Sequence, residues 1–428
     1  MKATKIFMMA ALALTFAACS NNDDIDLAQQ PIEQPANGEI TITATLEAND
    51  GASTRALSID GSNIASTWKT TDQFAILYNN GTDNTKSIAT VEKIYGTTVT
   101  ITFTIPASLA SNTPCTIVYP ASAASAANTG ADVATALATQ DGTIGNCPEV
   151  RVGTATIDKD NHNLTSVTKL TAQNAIFKFT LQDLSAGAKS ATEFKVSDGS
   201  GNVITTVTPG SASGELYVAL PVMAAGTYWF NATIDSKPYI AKATTAAATV
   251  AGKYYQTTVK MATIGDVILS DGKFAAPSST GTKVAMIAYL GNGSDCTNGL
   301  AIQLDASPEN KSWSDAKTYA SGLNAVPGGT WRLPSKADWQ NMFVGCAKSG
   351  DAISPDEQGK MDPIAGFKEK IGATGIKWQT GNYWSSTGIG SFAWNVEVAL
   401  YDIYAYADFY EHPTSTSDPA DVLGCLVF

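Results

Sequence analysis

Residues 39–262 are dominated by one repeated pattern, short runs in which apolar and polar side chains alternate. EITITATL (39–46), TVTITFTI (98–105), AIFKFTLQ (175–182), ELYVALPV (215–222), GTYWFNATI (226–234) and YYQTTVKM (254–261) all carry it. Successive side chains of a strand point to opposite faces, so each run predicts a strand with one buried face. Their Thr, Val, Ile and aromatic content suits a pleated, half-buried surface. Turn-forming clusters punctuate them: NNGTDN (79–84), SDGSGN (197–202) and PGSASG (209–214). Strands at this spacing without helices between them predict β-sandwiches. The one sizeable interruption, 121–147, is rich in Ala, Ser, Thr and Gly and reads as a crossover with a short helix at 132–138. We expect two sandwich subdomains, 39–165 and 166–262.

From residue 263 the texture changes. Strands are predicted at 265–274, 282–290 and 299–306, then helices at 312–323 and 335–348. Ser312 with Asp315, and Ser335 with Asp338, each have capping-box spacing. Helices on short strands make 263–428 an α+β domain. Its densest stretch is GGTWRLPSKADW (328–339). Pro334 fixes its own φ and holds Leu333 extended. Gly328 and Gly329 permit a tight turn, Trp331 and Leu333 point inward, and Ser335 caps the helix. Arg332 is expected to pair with a carboxylate or carbonyls and join strand to helix. Trp331, Arg332, Pro334 and Ser335 are therefore read as a structural staple, with a direct ligand role for Arg332 as the alternative.

The first residues are a targeting segment, 1–19. Lys2 and Lys5 precede the apolar run IFMMAALALTFAA, which is too short to span a membrane. Ala17 and Ala18 lead into Cys19, which resembles a bacterial lipobox with Cys19 as the lipidated (palmitate-bearing) residue; Phe16 departs from its usual Leu, which leaves a plain cleaved signal as the alternative. Residues 20–38 are acidic and polar and predict a disordered linker.

The formal net charge is −12, with 15% charged residues. Such a chain lacks the cationic footprint of a nucleic-acid binder. Only His162 and His412 occur, far apart, which argues against His-based metal sites and His-dependent nucleophiles. Cys115, Cys147, Cys296, Cys346 and Cys425 show no metal spacing, and a bridge among the last three is open to them in an oxidising compartment. No motif points to an enzyme, a cofactor or a metal. Arginine is confined to Arg55, Arg151 and Arg332.

The order of lipobox, acidic linker, strand, STRA (53–56), TWKTTDQFAILY (67–78) and AGKYYQTTVKM (251–261) resembles the fimbrillin family of Bacteroidales, lipoprotein precursors of pili. The resemblance implies two transthyretin-like Greek-key sandwiches. It also implies cleavage by an arginine-specific protease between Arg55 and Ala56. Loss of the first strand would then open a groove for a strand from a neighbouring subunit.

The order GLAIQLDA, WSDAKTYAS, GGTWRLPSKADWQNM, YWSST, AWNVEV and GCLVF resembles bacterial C-type-lectin-like domains, relatives of formylglycine-generating enzymes. It brings Trp384 into the staple. It also directs attention to the irregular loops at 350–381 and 387–418 and to LYDIYAYADFYEH (400–412). Tyr401, Asp402, Tyr404, Tyr406, Asp408, Tyr410 and Glu411 are the candidate ligand surface, aromatics to cover a sugar face and carboxylates to accept its hydroxyls. For at least half of these tyrosines the favoured reading is an ordinary strand with its aromatics in the core. Trp394-Asn395 is followed by Val396, so the calcium-lectin motif is incomplete, and Cys346 and Cys425 read as core residues rather than an oxidase pair.

Together these point to a fimbrial tip or accessory subunit that accepts a donor strand, made at the outer-membrane surface and carrying a C-terminal adhesin domain for a glycan or protein. The alternative is a static surface lipoprotein that binds glycans for uptake.

Overall fold

In the computed structural model the described residues are 38–47, 58–60, 63–65, 68–96, 98–291, 296–305, 309–376, 378, 380–401, 404–413 and 420–428. Cys19, Arg55, Ala56 and Asp402 lie outside them. The molecule is mainly β, with several sheets.

The first part contains β1 (Glu39–Glu47), β2 (Ser58–Asp60), β3 (Asn63–Ala65), β4 (Gln73–Asn79), β5 (Asn84–Tyr95), β6 (Thr98–Pro106) and β7 (Thr113–Tyr119). Helix α1 (Val133–Leu137), β8 (Thr139–Gln140), β9 (Arg151–Asp158), β10 (Asn163–Thr165) and β11 (Thr171–Ala172) follow. Sheet order is β10-β1-β6-β5-β4-β7-β9-β11, and β10 also pairs with β9, so the sheet curls until it closes on itself. Alternation drives this: Ile42, Ala44 and Leu46 of β1, and Val99, Ile101, Phe103 and Ile105 of β6, enter one core. Trp68, Phe74 and Tyr119 fill its centre, with ring centroids 5.0–5.3 Å apart. β11, past the expected boundary at 165, still belongs to this sheet.

The second part is β12 (Asn174–Asp183), β13 (Glu193–Ser197), β14 (Val203–Val207), β15 (Glu215–Pro221), β16 (Gly226–Ile234), β17 (Lys237–Thr245) and β18 (Tyr254–Thr263). Its order is β15-β12-β18-β17-β16-β13-β14-β8. The interruption at 121–147 thus does more than cross over, because β8 joins the neighbouring sheet. Gln140 of β8 is buried; its amide nitrogen donates to the carbonyls of Leu137 and Ala219 and to Thr205 Oγ1, and its oxygen accepts from Ala219 N. A buried side-chain amide with every bond made ties the two parts together.

The third part holds β19 (Val267–Leu269), β20 (Phe274–Ala275), β21 (Lys283–Leu290), β22 (Gly299–Gln303), α2 (Trp313–Ser321), β23 (Thr330–Arg332) and α3 (Lys336–Cys346). β24 (Lys360–Met361), α4 (Ala365–Ala373), β25 (Gly381–Ile389), β26 (Phe392–Leu400), β27 (Ala405–Pro413) and β28 (Cys425–Val427) complete it. One sheet runs β20-β19-β21-β22-β28-β23 and the other β24-β27-β26-β25.

Three expectations are corrected here. The region 350–381 is not all loop: α4 lies within it, and β26 and β27 both lie within 387–418. The strand expected at 265–274 is the β19–β20 hairpin. No disulfide joins Cys296, Cys346 and Cys425, which are buried thiols, as are Cys115 and Cys147. Burial pushes the Cys115 and Cys346 thiols up to about 12, which leaves them unreactive.

Candidate functional site: the first strand and the tyrosine face

β1 pairs antiparallel with β6 along its whole length, from Glu39↔Pro106 to Glu47↔Thr98. Its other edge is held lightly. Thr43 N donates to His162 O (3.1 Å), Leu170 N donates to Glu47 O (2.8 Å), and a single parallel bridge joins Thr43 to Asn163. His162 Nδ1 lies 3.1 Å from Thr41 O. β1 therefore closes the ring between β6 and β10 while pairing with no strand next to it in sequence. Ile42 and Leu46 are fully buried, and Ala44 nearly so.

Arg332, Asp338 and Ser335 form one hydrogen-bonded knot, while Trp331 and Trp384 sit in separate apolar clusters. Arg332 Nη1 and Nη2 donate to both carboxylate oxygens of Asp338, at 2.5 and 3.0 Å. Asp338 also accepts from Ser335 N (2.6 Å), while Ser335 Oγ accepts from Asp338 N (3.1 Å), completing a capping box. Trp331 Nε1 donates to Asn324 O (2.9 Å). Pro334 O accepts from Ser386 N (2.7 Å), and Trp384 Nε1 donates to Lys311 O (2.7 Å). A Cβ on Gly329 would sit 2.8 Å from the Leu426 side chain, so the turn before β23 needs glycine. Asp338 is almost wholly buried, and its double use by guanidinium and helix cap was legible only in its spacing from Ser335.

Alternation along β27 sorts the tyrosine segment. Ala405, Ala407 and Phe409 face the core, while Tyr406, Asp408 and Tyr410 share the outer face. Tyr404 stacks near-parallel with Tyr406 at 6.2 Å, and Tyr401 lies 4.8 Å from Tyr404. Tyr401 and Tyr404 are exposed. Glu411 falls on the opposite face, paired in register with Trp394. Three residues not singled out from sequence complete the set. Glu397 accepts from the Tyr406 hydroxyl (2.9 Å), Asn382 Oδ1 accepts from the Tyr410 hydroxyl (2.6 Å), and Lys360 Nζ sits 4.4 Å over the Tyr406 ring. The bond to Glu397 pushes the Tyr406 hydroxyl up to about 12; burial pushes Tyr410 up to about 12. Only the strand register could have found these partners, because Glu397 and Asn382 belong to other strands of the sheet. Among the described residues no group of three or more His, Cys, Asp or Glu is placed to hold a metal ion.

No family model matches the chain, and no curated protein does. Solved structures similar to it include a fimbrial protein from Bacteroides ovatus (12% identity, 92% of this chain and 100% of that one, TM-score 0.27). A fimbrial assembly protein from Parabacteroides distasonis matches at 11% identity, over 51% of this chain and 90% of that one, with TM-score 0.29. A shaft pilin from Lactobacillus rhamnosus matches at 11% identity, over 53% and 99%, with TM-score 0.24.

Proposed function

We propose that this chain is a pilus subunit that accepts a strand from a neighbour after its own first strand is removed. The observation that carries this reading is the placement of β1, which closes the first sheet without being the sequence neighbour of either flanking strand. Withdrawing it leaves every other strand pairing intact. It strips β6 of a nine-residue ladder and empties the space of Ile42 and Leu46. Burying two such side chains contributes roughly 3–6 kcal/mol, so an emptied groove favours refilling. An extended segment from another chain satisfies both needs, the edge bonds and the apolar slots.

Cleavage between Arg55 and Ala56 fits the distribution of arginines. Arg151 is buried in β9, with Glu149 at 2.6 Å, and Arg332 is held in β23 by Asp338, so both are poor protease sites. In this reading the precursor is anchored through lipidated Cys19, residues 39–165 and 166–262 form the assembling sandwiches, and 263–428 is a lectin-like adhesin domain. The tyrosine face of β27 is its ligand surface. β28 is bonded on both edges, to β22 and to β23, so it is not itself a strand that a neighbour could take up.

The test is to cut the purified precursor with an arginine-specific protease and add a synthetic peptide of residues 38–47. Mass spectrometry is expected to show a new N-terminus at Ala56 and a stable peptide complex, with neither in an Arg55→Gln variant. A cleaved protein that unfolds or never takes up peptide contradicts the assembly role. Mature surface material that retains lipidated Cys19 favours the static glycan binder.

A further inference from the structure

The second and third parts are locked together. Trp229 lies against Phe428 at 6.1 Å and Phe274 at 6.5 Å, and Lys242 donates to Pro327 O at 2.8 Å. Beside this joint are two clefts of about 530 and 420 Å³, and both are lined by Pro238 and Tyr239. Domain joints with preformed concavity are where small ligands bind. The cation balance is unusual for a chain of net charge −12. Lys237, Lys348 and Lys370 line the larger cleft and Lys195 the smaller. Glu369 is paired with Lys348 (2.9 Å) and Glu193 with Lys195 (2.7 Å). Lys237 and Lys370 form no ion pair among the described residues. Asp266, which interacts with Lys370, is half-buried and accepts from Thr263 N (2.8 Å). Asp235 stands two residues from Lys237 in the preceding turn.

We propose that this joint binds an acidic saccharide, a pyranose carrying a carboxylate. Tyr239, half-buried between the clefts, offers a ring to the apolar sugar face. Lys237 and Lys370 supply charge-assisted bonds to the carboxylate. The site is separate from the tyrosine face of β27 and from the β1 groove.

The test is calorimetry of the full chain with tetragalacturonate, with maltotetraose as the neutral counterpart. The acidic oligosaccharide is expected to bind and the neutral one not, with affinity falling as salt rises. Lys237→Gln and Lys370→Gln are each expected to weaken binding about tenfold. Lys273→Gln, outside the cleft, and Tyr404→Ala, on the tyrosine face, are expected to leave it unchanged. No binding, equal binding of the neutral sugar, or full affinity in both cleft variants overturns the proposal. Loss in Tyr404→Ala also overturns it, because the ligand then belongs to the other face.

Discussion

Asp338 shows how much one side chain can organise. Its carboxylate caps α3 and holds the Arg332 guanidinium with both oxygens, joining β23 to the helix that follows. Asp338→Ala removes the cap and leaves Arg332 without this partner, at a cost of about 2–4 kcal/mol. Urea unfolding followed by tryptophan fluorescence checks this, because Trp331 and Trp339 flank the knot. A loss below about 0.5 kcal/mol would mean the pair is only a surface contact. Asp266 makes the opposite kind of statement. Burial pushes its carboxyl up to about 6, against the Thr263 amide bond that lowers it. Its folded value exceeds the unfolded one, so its contribution is least unfavourable at acid pH and worsens as pH rises from about 4 through about 6. Asp266→Asn keeps an acceptor for Thr263 N. It is expected to gain about 1–2 kcal/mol over the parent at pH 8 and almost nothing at pH 4, read from paired urea titrations.

Elements explain what the sequence could and could not reveal. β1, β6, β12, β15, β16 and β18 are legible because one face of each is buried and alternation records it. β5 is the longest strand, yet only Ala89 along it is buried, so its residues NTKSIATVEKIY carry no clean alternation. α4 escapes for another reason: its N-cap, Ile364, has no capping side chain. Asp351 serves instead, accepting from Ala365 N (3.2 Å) and Gly366 N (2.6 Å) from fourteen residues upstream. β8 is two residues long and pairs in parallel with a distant strand, which no local pattern encodes. The tyrosine set was partly legible, since period two separates Tyr406 and Tyr410 from Phe409, but Glu397 and Asn382 enter only through register. At this scale, Gln140→Ala strands Ala219 N–H and C=O in the interface between the first two parts. It is expected to cost about 2–4 kcal/mol, as a loss of cooperativity between their unfolding transitions in calorimetry. Leu46→Ala opens a cavity beneath β1 worth about 2–4 kcal/mol. It is expected to speed amide exchange in residues 39–47 while leaving β12 and β18 unchanged.

At the scale of the whole molecule, three β-rich parts are joined by packed contacts rather than loose tethers. Gln140 spans the first joint, and the Trp229 cluster spans the second. If the chain assembles as proposed, load would pass through these two joints, and β1 would be the one strand exchanged. The most direct measurement is hydrogen–deuterium exchange of residues 98–106 in the intact precursor, after cleavage at Arg55, and after adding the 38–47 peptide. The β6 amides facing β1 are expected to be protected in the precursor, to become fast on cleavage and to regain protection with peptide, while β4 and β7 stay protected throughout. Unchanged protection of β6 after the first strand has been released, or global loss of protection in the first sheet, would contradict strand exchange.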